Sequence, residues 1–97
     1  MNKNEFTDLL SSGTKTMLID IREPEELLVE ETIPGSKNIP MGKVFTSAAD
    51  GTLAKDVPIV VFCRSGKRAA VVAKELTADG FNVQALEGGL HALRTNE

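Results

Sequence analysis

The chain has 97 residues, of which 41% are hydrophobic and 26% are charged, and its formal net charge is −3. This length supports one domain, residues 1–97, with a single core, and the acidic balance argues against a nucleic-acid partner. No apolar run approaches the ~20 residues of a membrane span, and the N-terminal residues lead into no signal-peptide pattern. We therefore expect a cytoplasmic protein with no membrane partner.

The chain contains one cysteine, Cys63, and one histidine, His91. Two such ligands are too few for a structural zinc site, and no glycine pattern matches a phosphate-binding loop or a dinucleotide fingerprint. We therefore expect no metal and no organic cofactor. A lone thiol cannot form an internal disulfide and persists best in a reducing compartment. His91 is predicted to be a surface or packing residue.

The first half of the chain alternates short apolar segments with turn residues. Helical spacing of apolar residues, buried-strand runs and the positions of proline and glycine define the elements. The predicted elements are a short helix between Asn2 or Asn4 and Gly13, a strand at 17–21, a helix at 24–29 that begins at Pro24, a turn at 34–35, an extended segment at 36–39 and a mostly loop segment at 41–55.

The second half has a clearer pattern. Residues 59–62 are wholly apolar, as in the buried strands of parallel sheets, and a helix with apolar residues at helical spacing follows. That helix should end with Gly80 in the left-handed position, so that Phe81 packs back on Leu76. A strand at 83–86 and a short helix that begins at Gly88 and Gly89 complete the chain.

This alternation of strands and helices predicts an α/β fold, a small parallel β-sheet flanked by helices on both faces. Ligands of such sheets bind outside the carboxyl ends of the strands. Both Cys63 and the turn at residues 20–23 directly follow a predicted strand. We therefore expect them to meet at the same edge of the sheet.

Cys63 is the candidate nucleophile. It opens the segment that we call the cysteine loop (residues 63–68), which lies between a strand and a helix. Backbone N–H groups and a helix N-terminus at such a position favour the thiolate over the thiol. The alternative is that Cys63 is a small buried hydrophobe. Three cations within the five residues that follow it, in an acidic chain, favour the nucleophile.

Four segments together resemble a single-domain rhodanese: residues 18–26, 33–40, 59–69 and 86–89. The resemblance spans nearly the whole chain and implies a rhodanese-like fold and a sulfurtransferase in which Cys63 carries a persulfide. Two positions depart from the family pattern. Glu31 and Thr32 replace a common Gly-His pair, which puts in doubt how that turn is held, and Leu93 replaces a common tryptophan, which we interpret as a packing change.

The resemblance implies an enzyme of the thiosulfate sulfurtransferase type, with a small anionic sulfur donor and with cyanide, a thiol or a sulfur-acceptor protein as partner. Two other functions stay open. A noncatalytic binding or sulfur-carrier module would use the same loop without turnover. A phosphatase or arsenate-handling enzyme is disfavoured, because related phosphatases have five residues between cysteine and arginine and only four separate Cys63 from Arg68. The loop also offers no aspartate or histidine as a general acid.

The residues of the loop after the cysteine are predicted to bind the donor. Arg64 and Lys67 attract and orient an anion, or else they decorate a solvated loop. Ser65 offers a hydroxyl, and Gly66 supplies a positive φ or a close approach to the anion. The backbone amides of residues 64–68 are expected to stabilise the negative sulfur.

Three further charged residues are assigned to the edge of the site. Arg68 either contacts a donor oxygen or forms a salt bridge with a carboxylate such as Asp20 or Glu23, and the salt bridge is slightly favoured. Asp20 and Arg22 match the Asp-x-Arg element of the resembled family. They are expected to hold the edge of the site together through ion pairs rather than to take part in catalysis.

Overall fold

The computed structural model describes residues 1–94. These residues form four helices, one 3-10 helix and four strands. In chain order they are α1 (Lys3–Ser11), β1 (Met17–Asp20), the 3-10 helix (Pro24–Leu28), β2 (Lys37–Asn38), α2 (Met41–Asp50), β3 (Ile59–Phe62), α3 (Lys67–Ala78), β4 (Val83–Ala85) and α4 (Gly89–Leu93). Within this part of the chain, none of the helices is long and apolar enough to span a bilayer.

The four strands form one sheet in the order β2-β1-β3-β4, and every neighbouring pair is parallel. β3 is a central strand, paired with β1 from Ile59 to Phe62 and with β4 on its other side. Because the strands are parallel, their carboxyl ends meet at one edge, where Cys63 follows β3 and Ile21 follows β1. The predicted parallel sheet is confirmed.

Two apolar layers cover the sheet, because successive side chains of a strand point to opposite faces. Ile19 and Val61 belong to the layer that contains the buried residues of α2 and α3. Leu18, Val60 and Phe62 belong to the layer that contains the buried residues of α1 and α4. Helices therefore cover both faces, as the α/β prediction requires.

Local sequence explains where two helices begin or end. The α1 helix begins with a capping box, in which Asn2 accepts from the Glu5 amide at 2.8 Å and Glu5 accepts from the Asn2 amide at 2.9 Å. At the end of α3, Gly80 has a φ of 92° and the Phe81 amide donates to the Leu76 carbonyl at 3.0 Å. The predictions at Gly80 and Phe81 are therefore confirmed.

The prediction that residues 41–55 are mostly loop was wrong, because α2 occupies Met41–Asp50. Its apolar residues lie at the i, i+3, i+4 and i+7 positions of a helix. Val44 is fully buried, while Met41, Phe45 and Ala48 pack against the same core. A helix this short gains most of its stability from such packing. Gly51 ends the helix in the left-handed conformation, with a φ of 84°.

Smaller differences affect three other elements. Pro24 begins a helix as predicted, but the segment is a 3-10 helix with no buried residue, so no apolar face favours a regular α-helix. The strands β1 and β4 each end one residue earlier than predicted. The backbone amides of Ile21 and Leu86 still donate to β3 carbonyls at 3.0 Å. The differences therefore concern only the residue at which each strand is said to end.

Candidate active site

Cys63 lies immediately after β3 and is buried. Its Sγ atom accepts a hydrogen bond from the Gly66 amide at a distance of 3.2 Å. Gly66 is also the N-cap of α3, a helix of 12 residues, and it has a φ of 96°. The sulfur therefore lies at the positive end of a helix and contacts a backbone donor, an arrangement that stabilises negative charge on sulfur.

Backbone contacts with α4 fix the shape of the cysteine loop. The Leu90 amide donates to the Cys63 carbonyl at 2.9 Å, and the His91 amide donates to the Arg64 carbonyl at 3.1 Å. A Cβ atom on Gly89 would lie 2.3 Å from the Cys63 carbonyl oxygen. Only glycine permits this approach, so Gly89 is needed to seat the loop. The sequence predicted Gly89 only as the start of a helix.

The three cations of the loop differ in their surroundings. Arg64 is exposed and lies 3.8 Å from the Glu30 carboxylate. Lys67 is exposed, and it forms no ion pair with residues 1–94. Arg68 forms a two-point salt bridge with Glu26, at 2.7 and 2.9 Å. The loop therefore presents one unpaired cation, one loosely paired cation and one tightly paired cation.

The Arg68 salt bridge was predicted in kind, but its partner is Glu26 rather than Asp20 or Glu23. Hydrogen bonds from Arg68 are the main reason why the pKa of Glu26 is lowered to about 2. The pKa of Arg68 is raised, first by Glu26 and to a smaller extent by Cys63. The Arg68 guanidinium therefore joins the cysteine loop to the 3-10 helix.

Asp20 and Arg22 form a buried ion pair at the end of β1. The closest atoms, Arg22 Nη2 and Asp20 Oδ2, are 2.7 Å apart, and both side chains are fully buried. Burial raises the pKa of Asp20, but hydrogen bonds from Arg22 and Thr32 outweigh burial and lower it overall. Arg22 also donates to the carbonyls of Glu26 and Glu30, at 3.4 and 3.0 Å. The pair therefore supports the segment that carries the partner of Arg68.

The two departures from the resembled family pattern have structural explanations. Thr32 donates to Asp20 Oδ2 at 2.6 Å and shares a 3.0 Å hydrogen bond with Ser36, while Arg94 donates to the Glu31 carbonyl at 2.7 Å. These contacts hold the turn whose anchoring was in doubt. Leu93 packs partly buried against the core layer of α1 and α4, which agrees with its interpretation as a packing change.

The structure brings all the predicted site residues to the carboxyl edge of the sheet, with Asp20 and Arg22 beneath the segment that faces the loop. Ser65 is exposed and Gly66 is half-buried. Sequence reasoning missed Glu26 and Glu30, which pair with loop cations, and Asn38, which donates to the carbonyls of Asp20 and Arg22 at 2.9 Å. The partners of these residues are set by folding, so no local sequence signal identified them.

The surface has one depression beside the cysteine loop and a larger one away from it. A recess of about 90 Å³ is lined by Arg22, Glu26, Val29, Glu30 and Arg64. A larger groove of about 250 Å³ lies at the other end of β1 and includes Lys15, Met17 and Lys37, but it does not include the cysteine loop. Residues 1–94 contain no group of three or more histidine, cysteine, aspartate or glutamate side chains that could hold a metal ion.

Comparison with known proteins agrees with this geometry. The model of the rhodanese-like domain family matches residues 2–96. The protein named "Putative sulfurtransferase YtwF" of Bacillus subtilis is 43% identical over 83 residues, which cover 86% of this chain and 78% of that protein. The chain spans only 15% to 22% of several longer curated relatives.

Solved structures give the same result. The rhodanese-like domain protein of Staphylococcus aureus superposes with a TM-score of 0.83 at 27% identity, covering 99% of this chain and 91% of that one. The human single-domain sulfurtransferase TSTD1 superposes with a TM-score of 0.82 at 25% identity, covering 100% and 96%. Two of these similar proteins, those of Bacillus subtilis and human, carry the name sulfurtransferase, and the chain belongs to the rhodanese-like domain family.

Proposed function

We propose that this protein moves a sulfane sulfur from a small anionic donor such as thiosulfate to a thiophilic acceptor, cyanide or a thiol, through a persulfide on Cys63. The hydrogen bond from the Gly66 amide to Cys63 Sγ, 3.2 Å long at the N-terminus of α3, carries the proposal. The Gly66 amide is a hydrogen-bond donor that is already in position to stabilise negative charge on sulfur. The sulfurtransferase relatives support the same chemistry.

With cyanide as the acceptor, the reaction needs two displacements and no proton transfer. In the first, the Cys63 thiolate attacks the outer sulfur of thiosulfate, the S–S bond of the donor breaks, and sulfite leaves with the bonding electron pair. In the second, cyanide attacks the outer sulfur of the persulfide, thiocyanate leaves, and the electron pair returns to Cys63. Such a double displacement has ping-pong kinetics. The chain has no second cysteine that could resolve the persulfide internally.

The same geometry argues against phosphoryl transfer. A phosphatase requires a general acid for an alkoxide leaving group. Asp20 is fully buried and paired with Arg22, and Glu26 is paired with Arg68. Neither carboxylate is available beside the cysteine loop to donate a proton, whereas sulfite leaves as a stable anion and needs none.

Intact mass spectrometry tests the proposal. The native protein and a Cys63→Ser variant are incubated with thiosulfate and weighed before and after cyanide is added. We expect the native chain alone to gain one sulfur atom and to lose it to cyanide with release of thiocyanate. If neither thiosulfate nor a mercaptopyruvate control gives an adduct, the sulfurtransferase proposal fails and a noncatalytic binding module becomes the better interpretation. Turnover of an aryl phosphate would instead favour a phosphatase.

A further inference from the structure

Two adjacent apolar side chains are exposed at the end of the 3-10 helix. Leu28 and Val29 are each 89% exposed, whereas the other exposed large apolar residues among residues 1–94, Leu10 and Val71, are 49% exposed. A single exposed apolar residue is ordinary. Two neighbours at this exposure contribute almost no burial to the fold, and such a patch is typical of a contact surface for another molecule.

The segment that carries this pair is held at several points. Arg22 donates to the Glu30 carbonyl from below at 3.0 Å. Glu26 forms its two-point salt bridge with Arg68 of the cysteine loop, and Glu30 pairs with both Arg64 and Arg94. The exposed pair is therefore presented by a fixed segment, which lowers the entropic cost of binding a partner.

The pair is also next to the reactive centre. Val29 and Arg64 line the same recess, and Arg64 directly follows Cys63. A molecule that covers Val29 and Leu28 would therefore lie against the cysteine loop. Because Cys63 itself is buried, such a molecule must extend its reacting group into the site rather than meet it on a flat surface.

Charge indicates the chemistry of that molecule. The carboxylates of Glu26 and Glu30 are neutralised by arginines, but the exposed Glu23, Glu25 and Glu31 form no ion pair with residues 1–94. An apolar pair with uncompensated carboxylates around it complements a surface that combines apolar and basic side chains. A small dianionic donor would gain nothing from these residues.

We infer that residues 23–31 form a docking surface for a polypeptide sulfur acceptor whose cysteine lies on an extended segment with basic and apolar residues around it. The inference rests on the proposed function for the transfer step. In that step the acceptor thiol ionises to solvent and its thiolate attacks the outer sulfur of the Cys63 persulfide. The persulfide S–S bond breaks, the electron pair returns to Cys63, and no oxidant is consumed.

Docking is tested first without chemistry. The probe is a fluorescein-labelled ten-residue peptide in which lysines and leucines surround a serine that replaces the reactive cysteine, and a matched peptide carries glutamate for each lysine. We expect the native protein to bind the basic peptide more tightly, with an affinity that falls as salt is added. The Leu28→Ser/Val29→Ser variant should bind it about tenfold more weakly. Fluorescence anisotropy measures both affinities.

The matched control is Leu10→Ser, because Leu10 is an exposed apolar residue in the last turn of α1. It should bind the basic peptide as the native protein does. The inference is overturned if the native protein binds neither peptide, binds both equally, or binds the basic peptide no better than the Leu28→Ser/Val29→Ser variant does.

Transfer is then measured with the cysteine form of the basic peptide and with cyanide. We expect the double variant to pass sulfur to cyanide at the native rate but to the peptide about tenfold more slowly. Equal rates to the peptide would overturn the docking surface. If no persulfide forms at all, the proposed function fails, while the anisotropy measurement still decides whether the surface binds the basic peptide.

Discussion

The cysteine loop and the buried Asp20–Arg22 pair place their charged side chains in opposite environments. In the loop, Arg64 and Lys67 are exposed, and the cysteine sulfur accepts a hydrogen bond from the Gly66 backbone amide. In the pair, Asp20 and Arg22 are fully buried, and each satisfies the other. Charge in the loop faces the solvent, whereas charge in the pair is enclosed by the fold.

This difference separates chemistry from stability. An exposed charge in water contributes little to folding, so Arg64 and Lys67 can be changed with little effect on stability. A buried charge without its partner is costly, so neither Asp20 nor Arg22 can be changed alone. Substitutions of the exposed Arg64 and Lys67 should therefore alter kinetics at nearly constant stability, whereas substitutions in the pair should lower stability first.

The largest effect is expected at the buried pair. Arg22→Met leaves the Asp20 carboxylate buried without its partner and removes the donors to the Glu26 and Glu30 carbonyls. We expect a loss of about 3–5 kcal/mol in the free energy of unfolding, measured by urea denaturation. In the double variant Asp20→Asn/Arg22→Met, no charge is left unpaired, so its cost should be smaller than the sum of the two single costs. Additive costs would contradict this account.

Gly89, which packs against the cysteine loop, should affect both stability and activity. In Gly89→Ala, the new Cβ atom would lie 2.3 Å from the Cys63 carbonyl oxygen, at a residue with a φ of 55°. We expect a loss of about 2–4 kcal/mol in unfolding free energy and slower persulfide formation, because the loop must shift.

The control for this change is Gly42→Ala in α2, where an added Cβ atom meets nothing within 4 Å. It should retain full stability and activity. A Gly89→Ala variant as stable and active as this control would show that α4 does not fix the loop.

The Glu26 salt bridge should make a smaller, pH-dependent contribution. Its pKa falls from 4.5 to about 2 on folding, so its stabilisation is complete above about pH 4.5 and is lost as the pH falls toward 2. Because both side chains remain partly exposed, we expect Glu26→Gln to cost about 1–2 kcal/mol at neutral pH. Urea denaturation between pH 3 and pH 7 should show the difference shrinking with acid.

The exposed Glu25→Gln substitution serves as its control and should give no such trend. A cost of Glu26→Gln that did not change with pH would contradict the assignment of the stabilisation to the ionised carboxylate.

The smallest effect on stability is expected in the loop itself. Lys67→Gln removes its unpaired cation and should raise the KM for thiosulfate about three- to tenfold at low salt, with kcat unchanged, because the Gly66 amide remains in place. Arg64→Gln should have a weaker effect, since Glu30 already offsets part of its charge. Steady-state kinetics at two salt concentrations check this, and a fall in kcat alone would contradict it.

Much of the fold could be read from local pattern. The apolar run of β3 predicted Ile59–Phe62 to the residue, and the glycine at position 80 predicted the end of α3, because a strand buried on both faces and a left-handed cap each need particular residue types. The helix α2 was missed, although its apolar residues have helical spacing. Its polar neighbours and Gly42 hid that pattern, and packing on the core decides its conformation.

The sequence by itself predicted the candidate nucleophile, its loop of cations, the parallel sheet and the edge at which they meet, because each prediction depends on patterns of residues close together in the chain. Only the tertiary structure decided which carboxylates pair with those cations, that Thr32 and Asn38 hold the Asp20–Arg22 pair, and that Gly89 lies against the Cys63 carbonyl. These contacts join residues up to 42 positions apart for Glu26 and Arg68. The packing of the helices on the sheet decides which of these residues meet, and their spacing along the chain does not predict it.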